Sequence, residues 1–233
     1  ITKEYFTTSI NLLDAATAKP LMTIPVKEKT ARVLVSDFSP DGTRILVSYQ
    51  IYESAKDWKN LQTRCEVLDS KTGNKLAEFQ NADKEKTMSA RFSPSGQTLA
   101  IVSQRQPTSK LPNDGPILHL LNIRDNRVVK SIPLGKAAKD ERMIVRDPTF
   151  SPDGSRLGII TQAISNTRDT NLLAIDEAQP RIHVIDVAAG AIRRTLVAPQ
   201  GFSSSLCFSP DGETLAVGSH GRVLLWDVSQ KNK

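Results

Sequence analysis

Residues 208–227 read Phe-Ser-Pro-Asp-Gly-Glu-Thr-Leu-Ala-Val-Gly-Ser-His-Gly-Arg-Val-Leu-Leu-Trp-Asp. Two short apolar runs, Leu215–Val217 and Val223–Trp226, are bounded by turn residues, the pattern of two adjacent strands. The first turn has a local mechanism: Pro210 presets φ, Asp211 tolerates the next position and Gly212 takes the last. Its opening tripeptide recurs at Phe38-Ser39-Pro40, Phe92-Ser93-Pro94 and Phe150-Ser151-Pro152, so the four starts lie 54, 58 and 58 residues apart. Asp41-Gly42, Ser95-Gly96 and Asp153-Gly154 follow in turn, and then Ile45–Val47, Leu99–Val102 and Leu157–Ile160.

A second signature, apolar-x-apolar-apolar-Asp, falls between these units. It is clearest at Ile182–Asp186 and Val223–Asp227, and the same frame fits Ile10–Asp14, Cys65–Asp69 and Leu118–Asn122. A turn residue comes next at Gly73, Asn126 and Gly190; Asn is the residue that best replaces Gly in the left-handed region. A further short strand lies beyond each: Lys75–Phe79, Val128–Ile132 and Ile192–Val197. The unit is therefore strand a, Ser-Pro-Asp-Gly turn, strand b, strand c, turn, strand d. Four short antiparallel strands at a fixed period specify a β-propeller blade. No stretch sustains a helical apolar period, so the chain is expected to be all-β.

At these residues the chain resembles the WD-repeat propeller family, most fully at Phe208–Asp227 with its terminal Trp226-Asp227. The resemblance runs along essentially the whole chain and speaks to fold, since this scaffold hosts many unrelated functions. Two departures stand out. No Gly-His pair precedes strand a, and Leu13, Leu68, Leu121 and Ile185 replace the Trp in the other blades. The resemblance then implies that the family's buried His–Asp network is absent and that apolar packing stabilises the blades.

The strands sort into one propeller segment over 1–233, with a partial blade at 1–26, full blades at 33–80, 87–133 and 145–198, and a partial blade at 205–228. That is seventeen strands: c–d at the start, three full blades, and a–b–c at the end. The N-terminal pair offers one strand too many for a clean closure, and the first residue is not Met. The expectation is the C-terminal part of a larger ring of roughly seven or eight blades. No targeting signal can be read from the N-terminus, so the compartment stays open.

From Phe of strand a to the last residue of strand c, the final blade takes 19 residues, whereas the three before it take 31, 30 and 36. The excess falls between strands b and c, at Tyr49–Thr63, Gln104–Pro116 and Gln162–Pro180. In WD-repeat propellers the b–c and d–a connections emerge on one face, and long loops on a rigid scaffold are where binding resides. Tyr49, Tyr52 and Trp58 in the first insert are interface-type aromatics, although packing within their own loop serves them equally well. With Arg105, Lys110 and Arg168 they form the candidate partner-binding set. The expected function is a non-catalytic scaffold for a protein or peptide partner. The alternative is an accessory or sensor propeller of a larger enzyme whose catalytic part lies elsewhere.

Other chemistry finds little support. With 39% hydrophobic and 24% charged residues the chain is not of disordered composition, and no apolar run approaches the ~20 residues of a membrane span. The formal charge of +6 invites nucleic acid, but at the loop-bearing face both signs are interspersed and nearly cancel, too weak for phosphate-driven binding. There is no Walker A loop, nucleophile elbow, His-Glu-x-x-His or Cys-x-x-Cys, so neither cofactor, metal nor catalytic residue is expected. His119 and His183 are repeat equivalents in strand c and read as structural; Asp14, Asp69, Asp186 and Asp227 read as turn caps. Cys65 and Cys207 read as small core residues.

Overall fold

The computed structural model describes residues 9–25, 31–52, 61–81, 85–105, 115–138, 141–146, 148–165, 179–201, 203–219 and 221–229. Among them there are only strands and turns. Strands β1 (Ser9–Leu13) and β2 (Pro20–Pro25) form a hairpin. β3 (Ala31–Phe38), β4 (Arg44–Tyr52), β5 (Leu61–Asp69) and β6 (Lys75–Gln80) form the first full sheet. β7 (Glu85–Phe92), β8 (Thr98–Arg105), β9 (Pro116–Asn122) and β10 (Arg127–Pro133) form the second. The third contains β11 (Glu141–Val145), β12 (Thr149–Phe150), β13 (Arg156–Ser165), β14 (Arg181–Asp186) and β15 (Ala191–Val197). β16 (Ser203–Phe208), β17 (Thr214–Ser219) and β18 (Arg222–Asp227) complete the described chain. Every pairing is antiparallel and follows the order a-b-c-d. The described residues thus form three complete blades with a two-stranded and a three-stranded sheet on either side.

Strand a of the third blade is two strands, so the described residues hold eighteen strands where seventeen were expected. Strands β3, β7 and β16 each slip register four residues before their Phe, between Val33 and Val35, Thr87 and Ser89, and Ser203 and Ser205. In the third blade the same position is Arg146, where the bulge widens into a break between β11 and β12. Pro148 lies in that break; having no N–H, it cannot donate to the ladder. Arg146 N still donates to the Ile160 carbonyl (3.0 Å), so β13 holds both halves.

The apolar side chains form four layers between successive sheets. Leu46, Cys65, Val67 and Phe79 of the first blade meet Phe92, Leu99, Ile101 and Leu121 of the second. Ala100, Val102, Leu118 and Leu120 then meet Leu157, Ile159 and Ile185 of the third, and Ile160, Ile182 and Val184 meet Leu206, Leu215, Val217 and Trp226 of the last. Ile10, Met22 and Ile24 cover Ile45, Val47 and Tyr49 at the other end. A sheet packed on both faces needs apolar residues at consecutive positions, which is why the strands b read as unbroken runs and not as alternations. The residues in the family's Trp position behave accordingly: Leu68, Leu121 and Ile185 are buried, whereas Leu13, in the first partial blade, is 51% exposed.

The outer face of the last blade breaks the pattern. Val223 and Leu225 are 70% and 68% exposed, although their repeat equivalents Ile182 and Val184 are buried. Cys207 shares that open face and is exposed, so it is not the core residue that its apolar frame suggested; only Cys65 is.

The Ser-Pro-Asp-Gly turns stack on one another. A Cβ on Gly96, Gly154 or Gly212 would touch Cδ of Pro40, Pro94 or Pro152 in the preceding blade at 3.7, 3.6 and 3.7 Å. Arg44 donates across this stack to the Gly96 carbonyl (2.7 Å), and Arg156 to the Val228 carbonyl (2.6 Å). Within each turn the Ser side chain closes the loop. Buried Ser151 donates Oγ–H to Asp153 (2.5 Å) and accepts from the Arg156 N–H (2.9 Å). The bond from Ser151, with those from the Ser155 hydroxyl and N–H, holds the Asp153 carboxyl down at about 2. Ser151→Ala leaves the Arg156 amide without this acceptor and should lower stability by about 1–2 kcal/mol. Equilibrium urea unfolding checks this, and an unchanged midpoint would refute the role given to the hydroxyl.

Candidate functional site

The b–c and d–a connections leave the sheets at one end. In the second blade Glu85 pairs with Arg105, Gln104 pairs with Pro116, and Leu134 N donates to the Pro116 carbonyl (2.9 Å). The inserts begin later than the sequence suggested. β4 and β5 stay paired out to Tyr52 and Leu61, β8 runs to Arg105, and β13 runs to Ser165. In the first blade part of the extra length therefore builds a taller β4–β5 hairpin, and in the third it extends β13 along β11. Tyr49 and Ile51 continue the alternation of β4, which lets the ladder extend.

Tyr49 itself is 3% exposed, with the Arg64 guanidinium 5.6 Å from its ring centroid, and belongs to the first apolar layer. Its burial puts it in the packing and not on the surface. Tyr52 ends β4 opposite Leu61. Arg105 ends β8, one-third exposed, its Nη2 3.8 Å from the Glu85 carboxylate. Trp58, Lys110 and Arg168 lie outside the described residues, as does the stretch at 171–175 that suggested an additional strand. His220 lies outside them too.

Below this end, the strand-c histidines sit in hydroxyl relays that cross three strands. In the second blade Ser103 Oγ and His119 Nε2 are 2.9 Å apart, as are His119 Nδ1 and Ser131 Oγ. In the third, Thr161 Oγ1 lies 2.9 Å from His183 Nε2, and His183 Nδ1 lies 3.2 Å from Thr195 Oγ1. A neutral imidazole offers one donor and one acceptor, which two rotatable hydroxyls satisfy in either tautomer. Burial disfavours the charged ring in both, opposed at His119 by Glu85. At His183, burial and the neighbouring Arg181 charge together lower the pKa to about 4. The first blade replaces this arrangement with charge: Arg64 bridges Glu66 (3.2 Å) and Glu78 (3.8 Å), and Lys75 completes the group. The aspartates closing the strands c do cap turns. Asp69 accepts from Lys71 N (3.0 Å) and Thr72 N (2.7 Å), Asp186 from Ala189 N (2.9 Å), and Asp14 and Asp227 act alike. Asn126 takes positive φ (48°), as its place in the repeat required, and its Oδ1 also accepts from Glu78 N (2.8 Å).

Two clefts of about 490 Å³ open on the described surface. One, between β2 and the β5–β6 hairpin, includes Tyr49, Arg64, Glu66 and Lys75, whose charges are already paired with one another. The other lies at the loop-bearing end of the third blade. It is lined by Leu134, Gly135 and Lys136 of the d–a connection, by Glu141 and Met143 of β11, by Thr161 and Ser165 of β13, and by Arg181 and Val197. Gly135 can take its place only because Gly115 is a glycine. A Cβ there would lie 1.8 Å from the Gly135 carbonyl oxygen, and Gly115 has a φ of 78°. Among the described residues no three His, Cys, Asp or Glu side chains gather as metal ligands.

The sequence reading missed Lys136, Glu141, Thr161 and Arg181. Lys136, in the d–a connection into the third blade, and Arg181, at the start of β14, are 45 positions apart in sequence and line one cleft. The predicted contacts are not gathered there: Tyr52 is on the first blade and Arg105 on the second.

Comparison with known proteins places a WD domain, G-beta repeat, at residues 190–227. Comparison with curated proteins finds no match. Among solved structures, the chain is similar to Kuenenia stuttgartiensis hydrazine synthase, at 18% identity and a TM-score of 0.54, over 94% of this chain and 70% of that one. It is also similar to the Pyrococcus horikoshii acylaminoacyl peptidase, at 14% identity and a TM-score of 0.60, over 87% of this chain but 32% of that one. At such identities these likenesses speak to the propeller fold and not to either activity.

Proposed function

Taking the chain as a β-propeller that carries a WD repeat, we propose that it is a non-catalytic interaction module whose loop-bearing end receives a protein or peptide partner. The observation that carries this reading is the cleft of the third blade, which opens at the end from which all three inserts leave. A stack of sheets packed on both faces supplies a rigid base. Side chains on the connections supply selectivity, with Tyr52, Trp58, Arg105, Lys110 and Arg168 as the proposed contacts and Tyr49 reserved to the core. The nearly balanced charge of this end argues against nucleic acid, and no helix among the described residues is long and apolar enough to cross a membrane.

A photo-crosslinking amino acid at Arg105 should capture a defined partner, and the same group at Lys71, in a c–d turn at the opposite end, should not. Trp58→Ala should weaken that partner by about tenfold or more, as aromatic anchors do, with the far-ultraviolet spectrum unchanged. Capture at Lys71 alone would reverse the assignment of the binding end.

A second reading, an accessory propeller within a larger enzyme, is favoured by the bare outer face of the last blade, where Val223 and Leu225 are exposed. Here that face packs on further protein while the loop end faces a catalytic part. Turnover by the 233-residue chain itself would contradict both readings.

A further inference from the structure

The charges of the third-blade cleft are unevenly satisfied. Glu141 Oε2 accepts from the Ala138 N–H (3.0 Å), which draws this carboxylate onto its own loop. Lys136 and Arg181 are both exposed, and neither has a carboxylate partner among the described residues. The Thr161 hydroxyl, 2.9 Å from His183 Nε2, is neutral and does not offset their charge. The neighbouring blades treat their cations differently: Arg64 is paired with Glu66, and Arg105 with Glu85. Of the two clefts, that of the third blade is the one whose two cations lack a carboxylate partner among the described residues, and Met143 and Val197 add apolar lining to it.

We infer that this cleft binds an acidic peptide segment, one carboxylate of which lodges between Lys136 and Arg181. The inference rests on the interaction-module reading and adds the chemistry of the partner to it. A carboxylate meets a guanidinium with two parallel N–H bonds, and the ammonium group supplies a second point charge. A cleft of about 490 Å³ suits a few side chains of an extended chain, within the usual range for ligand sites. Nucleic acid and anionic membrane present many charges across a broad front. The surrounding loops, with both signs interspersed, offer no such front.

The probe is a fluorescein-labelled peptide of four glutamates spaced by glycine and serine, followed by fluorescence anisotropy on the whole chain. Companion peptides replace glutamate by glutamine or lysine, and free and amidated C-termini separate a side-chain carboxylate from a terminal one. The glutamate peptide should bind, the glutamine and lysine peptides should not, and added salt should weaken binding. Lys136→Gln and Arg181→Gln should each reduce affinity about three- to fivefold, the range for an exposed charge pair. Lys71→Gln, at the opposite end, should have no effect. Equal binding of the lysine peptide, equal affinity in the Lys136→Gln and Arg181→Gln variants, or preferential binding to phosphatidylglycerol vesicles or single-stranded DNA would overturn the proposal. If the peptides fail while Arg105 still crosslinks a partner, the partner class is wrong and the binding end stands. If crosslinking moves to Lys71, the binding end itself is wrong.

Discussion

Leu157→Ala is expected to destabilise the chain by about 3–5 kcal/mol, the upper part of the range for a buried Leu truncated to Ala. Leu157 is fully buried, between the second and third blades, packed with Ala100, Val102, Leu118, Leu120 and Ile185. The site has little freedom to collapse around the lost atoms. Phe150 and Ile185 are its ladder partners on either side, so the backbone is fixed by strands on both flanks, and the second blade is fixed by its own ladder. Leu225→Ala is the internal control, since that side chain is 68% exposed and its loss should stay within about 0.5 kcal/mol. Urea unfolding of both variants measures the difference. Equal losses would mean that the layers between blades do not stabilise the fold as described.

This contrast also marks what was legible in the sequence. The turns were, because their chemistry is local: the Ser-Pro-Asp-Gly stacks, the Asp caps and the left-handed Asn126 depend on residues a few positions apart. The layers were legible through the unbroken runs of strand b, since only a sheet covered on both sides tolerates them. Cys207 was not. It occupies an apolar frame like Cys65, but its exposure depends on whether another sheet covers that face, which no local pattern encodes. Tyr49 was misassigned for a related reason. The extra residues after strand b were taken as loop, whereas they extend the β4–β5 ladder and carry the ring into the layer against Met22 and Ile24. The cleft was least legible of all: Lys136 on a d–a connection and Arg181 on β14 come to line it through the tertiary fold, and neither has a sequence neighbour that signals it.

The second large effect is on acid stability, and it follows from His183. In an unfolded chain this imidazole titrates at about 6.5; in the fold, burial and the Arg181 charge lower it to about 4. Between those values the unfolded state binds a proton that the native state refuses. Stability therefore rises with pH across this window and is lost on acidification. His183 is 5% exposed, so solvent screening is slight, and the difference corresponds to a loss on the order of 3 kcal/mol between pH ~6.5 and ~4. His119, also lowered by burial, acts in the same direction. Below pH ~4 the histidine contribution stops changing. The turn carboxylates of Asp41 and Asp153, both held at about 2, then remove stability as they protonate in turn. His183→Gln keeps hydrogen-bonding capacity between Thr161 and Thr195 but removes the titration. Its unfolding free energy should be flatter from pH ~6.5 to ~4 than that of the parent chain, whatever its value at neutral pH. A parent chain with no slope in that window, or a His183→Gln variant with the same slope, would show that the ring is free to take its proton in the fold. The Thr161–His183–Thr195 relay would then be one that also accommodates imidazolium, with both hydroxyls turned to accept.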